Sequence, residues 1–245
     1  MRLDLFVRAA SPRRAVVTGN EARPQLLSGH VEAHNPSLPS LPLLPLLLCE
    51  DIAQHPDFRS LFSIAHISVD LRYATPDNFV GRAIYGGLDC AWLRTEAATA
   101  LEAAAQWLKV RHSGYSLCVL DALRPQRVQE VLWAELQGTP LTLYLADPVQ
   151  GSIHSFGMAV DVTLLDPQGL EVDMGSGFDE MGLTSHPDHE AEHLALGLLT
   201  PAHLTERGWL RAAMRQAGFH TIATEWWHFE LGDRAAVRRD LPRIL

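Results

Sequence analysis

The sequence predicts an α+β domain. Apolar residues recur with helical spacing in two long segments, and short apolar runs bounded by turn residues read as strands elsewhere. The two kinds of element do not alternate as a regular βαβ series requires. In order, residues 64–73 read as a strand region followed by a turn-rich loop over 74–87. Residues 94–111 are Ala-rich and place Ala97, Leu101, Ala104 and Leu108 on one face, a helix that Gly114 ends. Residues 115–120 read as a buried strand, and Pro125 suits the first turn of a helix running to about Leu136, stopped by Gly138 and Pro140. Residues 158–165 form an apolar strand ended by the turn Asp166-Pro167-Gln168-Gly169. An amphipathic helix over 205–217, capped by Gly218, precedes strands over 219–223 and 225–231.

The 245-residue chain is long enough for one well-buried domain plus an extension. Residues 1–48 carry Arg8, Arg13, Arg14 and Arg23 and then a Pro/Leu/Ser stretch with no persistent period. They are expected to be a poorly ordered extension, with the domain spanning 49–245. A net charge of -9 argues against a nucleic-acid or anionic-membrane partner. No segment approaches the ~18 uninterrupted apolar residues of a membrane span. Cys49, Cys90 and Cys118 form no Cys-x-x-Cys pair and indicate neither a disulfide framework nor a thiolate metal site. A cytoplasmic location is expected, with periplasmic export left open, as is the oligomeric state, a homodimer included.

Chemistry concentrates in Ser152-Ile153-His154-Ser155-Phe156-Gly157-Met158-Ala159-Val160-Asp161 and in Glu225-Trp226-Trp227-His228. Each sets ionisable groups among apolar residues, where an unpaired charge is strongly disfavoured and a bound divalent cation removes the cost. Two imidazoles and one carboxylate leave a fourth tetrahedral position for water, the pattern of a catalytic zinc site, and Glu225 supplies the spare carboxylate of a general base. Fully extended, His154 and Asp161 would lie ~23 Å apart, so the chain must fold back between them, with Gly157 as the permissive turn. Glu225 and His228 lie three apart and share a strand face only through a bulge or with Glu225 just outside the strand. Either segment alone is better read as a core histidine bonded to a carboxylate; both in one chain favour the metal.

A second pattern competes. His189-Glu190-Ala191-Glu192-His193 matches His-Glu-x-x-His, but Pro187 lies just upstream and Glu192 adds a charge inside the motif. It reads as the solvated start of a short helix and a chance match. Arg124, where the strand at Asp121 gives way to a helix, either points into a cleft to stabilise an oxyanion or makes a surface ion pair.

From about Glu50 to Gly232 the chain resembles the D-alanyl-D-alanine dipeptidase family of zinc enzymes. The resemblance is carried by Asp70-Leu71-Arg72-Tyr73-Ala74-Thr75, Asn78-Phe79-Val80-Gly81, Asp121 to Pro125, Ser152 to Asp161, Met174-Gly175-Ser176-Gly177-Phe178-Asp179 and Glu225 to His228. It implies the fold shared with D,D-carboxypeptidases and the Hedgehog amino-terminal domain: a central, mostly antiparallel sheet flanked by helices, with zinc in a cleft. It also implies one zinc ion held by His154, Asp161 and His228, with Glu225 as the base and Arg124 stabilising the tetrahedral intermediate. Tyr73 and Asp179 would hold the free amino group of a small dipeptide substrate, with Ser152 near its carboxylate. The chain departs from the family pattern mainly between Gly182 and Gly208, where a His-rich segment stands, and residues 1–48 have no counterpart. The competing expectations are a D,D-carboxypeptidase acting on longer peptidoglycan peptides and a Hedgehog-like module whose zinc is not catalytic.

Overall fold

A computed structural model describes residues 46–245. The extension expected over residues 1–48 lies, up to residue 45, outside the described residues.

The core is a five-stranded sheet in the order β2-β4-β5-β7-β6. Its members are β2 (Ile67–Val69), β4 (Ser116–Asp121), β5 (Ala159–Leu165), β6 (Phe219–Thr221) and β7 (His228–Leu231). Only β2 and β4 run parallel; the other three pairings are antiparallel, as expected. A separate two-stranded ribbon joins β1 (Phe58–Ser60) to β3 (Trp92–Arg94). β5 is the middle strand, buried on both faces from Ala159 to Leu164, which is why its sequence is a nearly continuous apolar run.

Helix α1 (Thr95–Arg111) buries Ala97, Ala98, Leu101, Ala104, Ala105 and Leu108. Its alanines let α4 (Pro201–Gln216) approach closely through Leu210, Ala213 and Met214. Helix α2 (Gln126–Leu136) follows β4 directly. The short helices α3 (Glu190–Ala195) and α5 (Arg234–Asp240) lie on either side of the chain's last two strands in sequence.

Three boundaries differ most from expectation. The strand region over 64–73 shrinks to β2, because the Asn78 side chain donates to the Arg72 and Thr75 carbonyls and bends the chain into a 3-10 turn at Arg72–Ala74. Helix α4 begins at Pro201 rather than 205. Thr200 caps it by accepting from the His203 amide, and the Thr-Pro pair is a start signal the apolar period does not reveal. The last strand begins at His228, which leaves Glu225 in the preceding loop.

The register across β4, β5 and β7 positions the site. Asp161 pairs with His228 on one side and Asp121 on the other. The second pairing exists because the β4–β5 register shifts between Val119 and Asp121, so that Asp121 stands where a regular ladder would place Leu120.

Candidate metal centre and active site

The His154 segment is a 3-10 turn, Ile153–Phe156, ended by Gly157 in the left-handed conformation at φ 72°. A Cβ at Gly157 would lie 2.9 Å from the Phe58 ring and 3.2 Å from the Arg94 amide, so both the turn and the close approach require glycine. The turn reverses the chain between His154 and Asp161, and both reach one point. His154 Nε2 lies 3.1 Å from His228 Nδ1 and 3.4 Å from Asp161 Oδ1, and His228 Nδ1 lies 2.9 Å from Asp161 Oδ1. All three residues are buried. Among the described residues they are the one group of three or more such side chains whose donor atoms converge in this way.

The partners behind the imidazoles fix which nitrogen carries the proton. His154 Nδ1–H donates to the Ala122 carbonyl at 2.8 Å, and His228 Nε2–H donates to Glu230 Oε1 at 2.9 Å. The remaining lone pairs, His154 Nε2 and His228 Nδ1, therefore face each other and the Asp161 oxygen. Three electron-rich atoms at that spacing repel unless a positive charge sits among them. Metal bonds of about 2.0–2.1 Å in a tetrahedron place donors about 3.3–3.4 Å apart, so the observed triangle, with sides of 3.1, 3.4 and 2.9 Å, needs to open by only a few tenths of an ångström on two sides. Without a metal, a proton takes this role. Burial lowers the basicity of His228, but Asp161 and Glu230 outweigh it and hold the imidazole up at about 10. Burial likewise disfavours the Asp161 carboxylate, and the two imidazoles overcome that, holding its pKa well below the usual range. The residues fit a divalent cation.

Glu225 lies beside the triangle, its Oε2 3.9 Å from His228 Nδ1, with 12% of its side chain exposed. Burial pushes its carboxyl up to about 7, against the pull of His228. A group that exchanges its proton near neutrality, next to a cation site, suits general-base work.

Arg124 is no surface ion pair; it is buried at the cavity wall. Its Nε donates to Asp121 Oδ2 at 2.7 Å, one terminal nitrogen donates to Gln129 Oε1 at 3.1 Å, and the other reaches Asp161 Oδ2 at 3.4 Å. Its guanidinium lies 5.0 Å from the centre of the Tyr73 ring. The Tyr73 hydroxyl donates to Asp179 Oδ2 at 2.7 Å. Asp179 is half-buried, at φ 58°, and burial pushes its carboxyl well up despite that bond. Ser152 is buried at the start of the 3-10 turn, and its hydroxyl makes no capping bond there. All eight sequence-predicted residues line one cavity of ≈ 430 Å³.

Two buried carboxylates were not singled out from the sequence. Glu230, two positions beyond His228 and on the same strand face, orients that histidine, and the strand period alone could have found it. Asp121 accepts from Tyr85 and Arg124 and lies 3.7 Å from His154 Nδ1; its placement depends on the register shift, which leaves no sequence signal.

The sequence profile of the D-ala-D-ala dipeptidase family matches residues 57–244. The D-alanyl-D-alanine dipeptidase of Escherichia coli is 41% identical over 170 residues, 69% of this chain and 81% of that one. Enzymes of the same name from Enterococcus faecium and Streptomyces coelicolor are each 32% identical, over 72% and 69% of this chain and 92% and 87% of theirs. Among solved structures, the LdcB LD-carboxypeptidase matches with a TM-score of 0.42 and 17% identity, over 75% of this chain and 72% of that one. With more than half of its length matched by the family profile, and relatives above 30% identity matched over most of their own length, the chain belongs to the D-alanyl-D-alanine dipeptidase family of peptidases.

Proposed function

We propose that this protein is a zinc peptidase that hydrolyses D-alanyl-D-alanine or a closely related dipeptide. The observation that carries this reading is the convergence of His154 Nε2, His228 Nδ1 and Asp161 Oδ1 beside Glu225 in a cavity of dipeptide scale. Two imidazoles and a carboxylate with an open fourth position suit zinc in tetrahedral coordination. Bound there, zinc would act as a Lewis acid, activating water and polarising the scissile carbonyl.

The chain's own groups do the rest. Glu225 takes the proton from the attacking water and returns it to the leaving amine; a carboxyl held near neutral pKa can do both. Arg124, fixed by Asp121 and Gln129, presents a permanent charge toward the oxygen that becomes negative in the tetrahedral intermediate. Asp179, aligned by Tyr73, meets the substrate ammonium. Among the described residues no Lys, Arg or His forms an ion pair with Asp179, so a cationic ligand fills an unmet demand. That preference separates a dipeptidase from a carboxypeptidase, whose longer substrates carry an amide nitrogen there. The three cysteines are buried free thiols, which supports placing the enzyme in a reducing, cytoplasmic compartment as part of the same proposal.

The test is turnover of D-Ala-D-Ala, its L,L isomer and its N-acetyl derivative, with and without chelator, together with metal analysis. Hydrolysis of the free D,D dipeptide alone, lost on chelation and restored by zinc, is expected. In Asp179→Asn, hydrolysis should weaken and the gap to the N-acetyl compound should narrow with zinc retained. Comparable kcat/KM for D-Ala-D-Ala and a tripeptide ending in it would favour the carboxypeptidase.

A further inference from the structure

The cavity has a second unmet charge, of the opposite sign to Asp179. Arg238, on α5, lines it together with Ser152 and the metal-donor residues. The Arg238 Nε and one terminal nitrogen both donate to the Gly151 carbonyl, at 3.1 and 2.9 Å. Among the described residues no carboxylate lies within ion-pair distance of Arg238, although Asp147 lines the same rim. Its charged neighbour is instead another cation. Arg243 donates to the carbonyls of Pro148, Val149 and Gln150 at 3.1, 3.2 and 3.0 Å. Burial and the charge of Arg238 lower the Arg243 pKa, against the weaker pull of Glu130.

Two guanidiniums held close by backbone carbonyls, neither in a salt bridge among the described residues and only Arg243 feeling a carboxylate, Glu130, form a site that favours an anion. The cradle is built around them. Gly151, at φ 82°, passes so near Arg243 that a Cβ there would lie 2.8 Å from the guanidinium carbon. The next residue is Ser152, whose buried hydroxyl is not used for capping, and His154 follows two positions later. The other two arginines lining the cavity differ, because Glu230 neutralises Arg234 and Asp121 neutralises Arg124.

We propose that Arg238, backed by Arg243 and beside Ser152, binds the free C-terminal carboxylate of the substrate and makes the enzyme selective for an unblocked C-terminus. The cavity then matches a zwitterion: Asp179 and Tyr73 take the ammonium, the donor triangle lies at the scissile bond, and Arg238 takes the carboxylate. This inference rests on the dipeptidase reading and adds a specificity residue to it.

The experiment compares D-Ala-D-Ala with its C-terminal amide in zinc-loaded wild type, Arg238→Met and Arg238→Lys, by steady-state kinetics and by calorimetric binding. Wild type should prefer the acid. Arg238→Met should raise KM for the acid on the order of 10²-fold, leave kcat within about threefold and barely change the amide, because only a ground-state charge contact is lost. Arg238→Lys should recover part of the loss. Equal losses on acid and amide would make Arg238 a structural prop for Gly151 and overturn the inference, as would an acid preference that survives Arg238→Met. Should wild type hydrolyse neither compound, the dipeptidase reading fails on its own. The binding data still decide the inference: an acid-over-amide preference abolished in Arg238→Met sustains it, and no preference overturns it.

Discussion

Two regions among the described residues carry a pair of histidines with a nearby glutamate, and only one brings its donor atoms together as a cation would need. In His154, Asp161 and His228 the donors come from a turn and two adjacent strands, are buried, and converge with their lone pairs aimed at one point. In His189-Glu190-Ala191-Glu192-His193 the spacing is that of a zinc helix, but the helix is not continuous. His189 ends a 3-10 turn and α3 starts at Glu190. The His189 side chain is 48% exposed and turns to Glu192, with its ring 5.9 Å from that of buried His193. Glu190, which the motif would make the base, binds Arg211 at 2.8 Å and Arg207 at 3.5 Å. Spacing brings residues near each other. Acceptors placed behind the imidazoles, and a carboxylate left free of arginine, turn proximity into a site.

The sharpest way to break this comparison is metal analysis of single variants. His154→Ala, Asp161→Ala and His228→Ala should each lose stoichiometric tight zinc and essentially all turnover, whereas His189→Ala should retain both. Tight zinc in the first three, or its loss in His189→Ala, would exchange the roles of the two regions.

Next in size is the base. Glu225→Ala should keep zinc and lose about 10²–10⁴-fold in kcat, the usual worth of positioned proton transfer. Glu190→Gln should leave kcat within a few-fold while lowering the melting temperature, because it strips a carboxylate from two arginines. A large kcat loss in the folded Glu190 variant would count against the assignment of the base.

The support behind His228 should have a smaller effect. Glu230→Gln keeps a hydrogen-bond acceptor but removes the charge that strengthens the imidazole as a ligand. Zinc affinity should fall about 10–100-fold in chelator competition with the fold intact. Unchanged affinity would mean that the second carboxylate serves only Arg234, which it also binds.

The difference between the two regions was legible in the sequence to an uneven degree. Charge among apolar residues marked the segments whose donors converge, and charge among charges marked the other; that contrast is local, so it could be read. The turn at Gly157 was equally legible, since no other residue would let His154 and Asp161 meet. What depended on register was not. Asp121 faces Asp161 only because of a one-residue shift in β4, and Tyr73 meets Asp179 across 106 positions of chain. No period encodes either contact, and the pairing of Tyr73 with Asp179 came from family resemblance alone. The partnership of Arg238 with Gly151 is equally long-range, 87 positions apart, and became visible only in three dimensions.

The smallest effect tests the physical basis of the Glu225 assignment without any catalysis. Burial raises its carboxyl from 4.5 to about 7 in the metal-free protein. Between those values the folded state holds a proton that the unfolded state has released, so stability declines as pH rises through that window. Below about 4.5 both states are protonated and Glu225 costs nothing; above about 7 the full penalty of a buried carboxylate applies. Glu225→Gln is a near-isostere that cannot ionise. Urea unfolding in chelator should therefore show variant and wild type close together near pH 4, with the variant gaining on the order of 1–3 kcal/mol by pH 8. Asp161, His228 and Glu230 titrate in both proteins, so the difference reports the loss of the Glu225 charge together with its coupling to these neighbours. Zinc should flatten it, because a cation beside Glu225 stabilises the charged form. Glu192→Gln, on the exposed side of the other histidine pair, should stay within about 0.5 kcal/mol of wild type throughout. A flat difference for Glu225→Gln in the metal-free protein would show that its carboxylate is solvated after all, and the site would lose its reason for a base poised near neutrality.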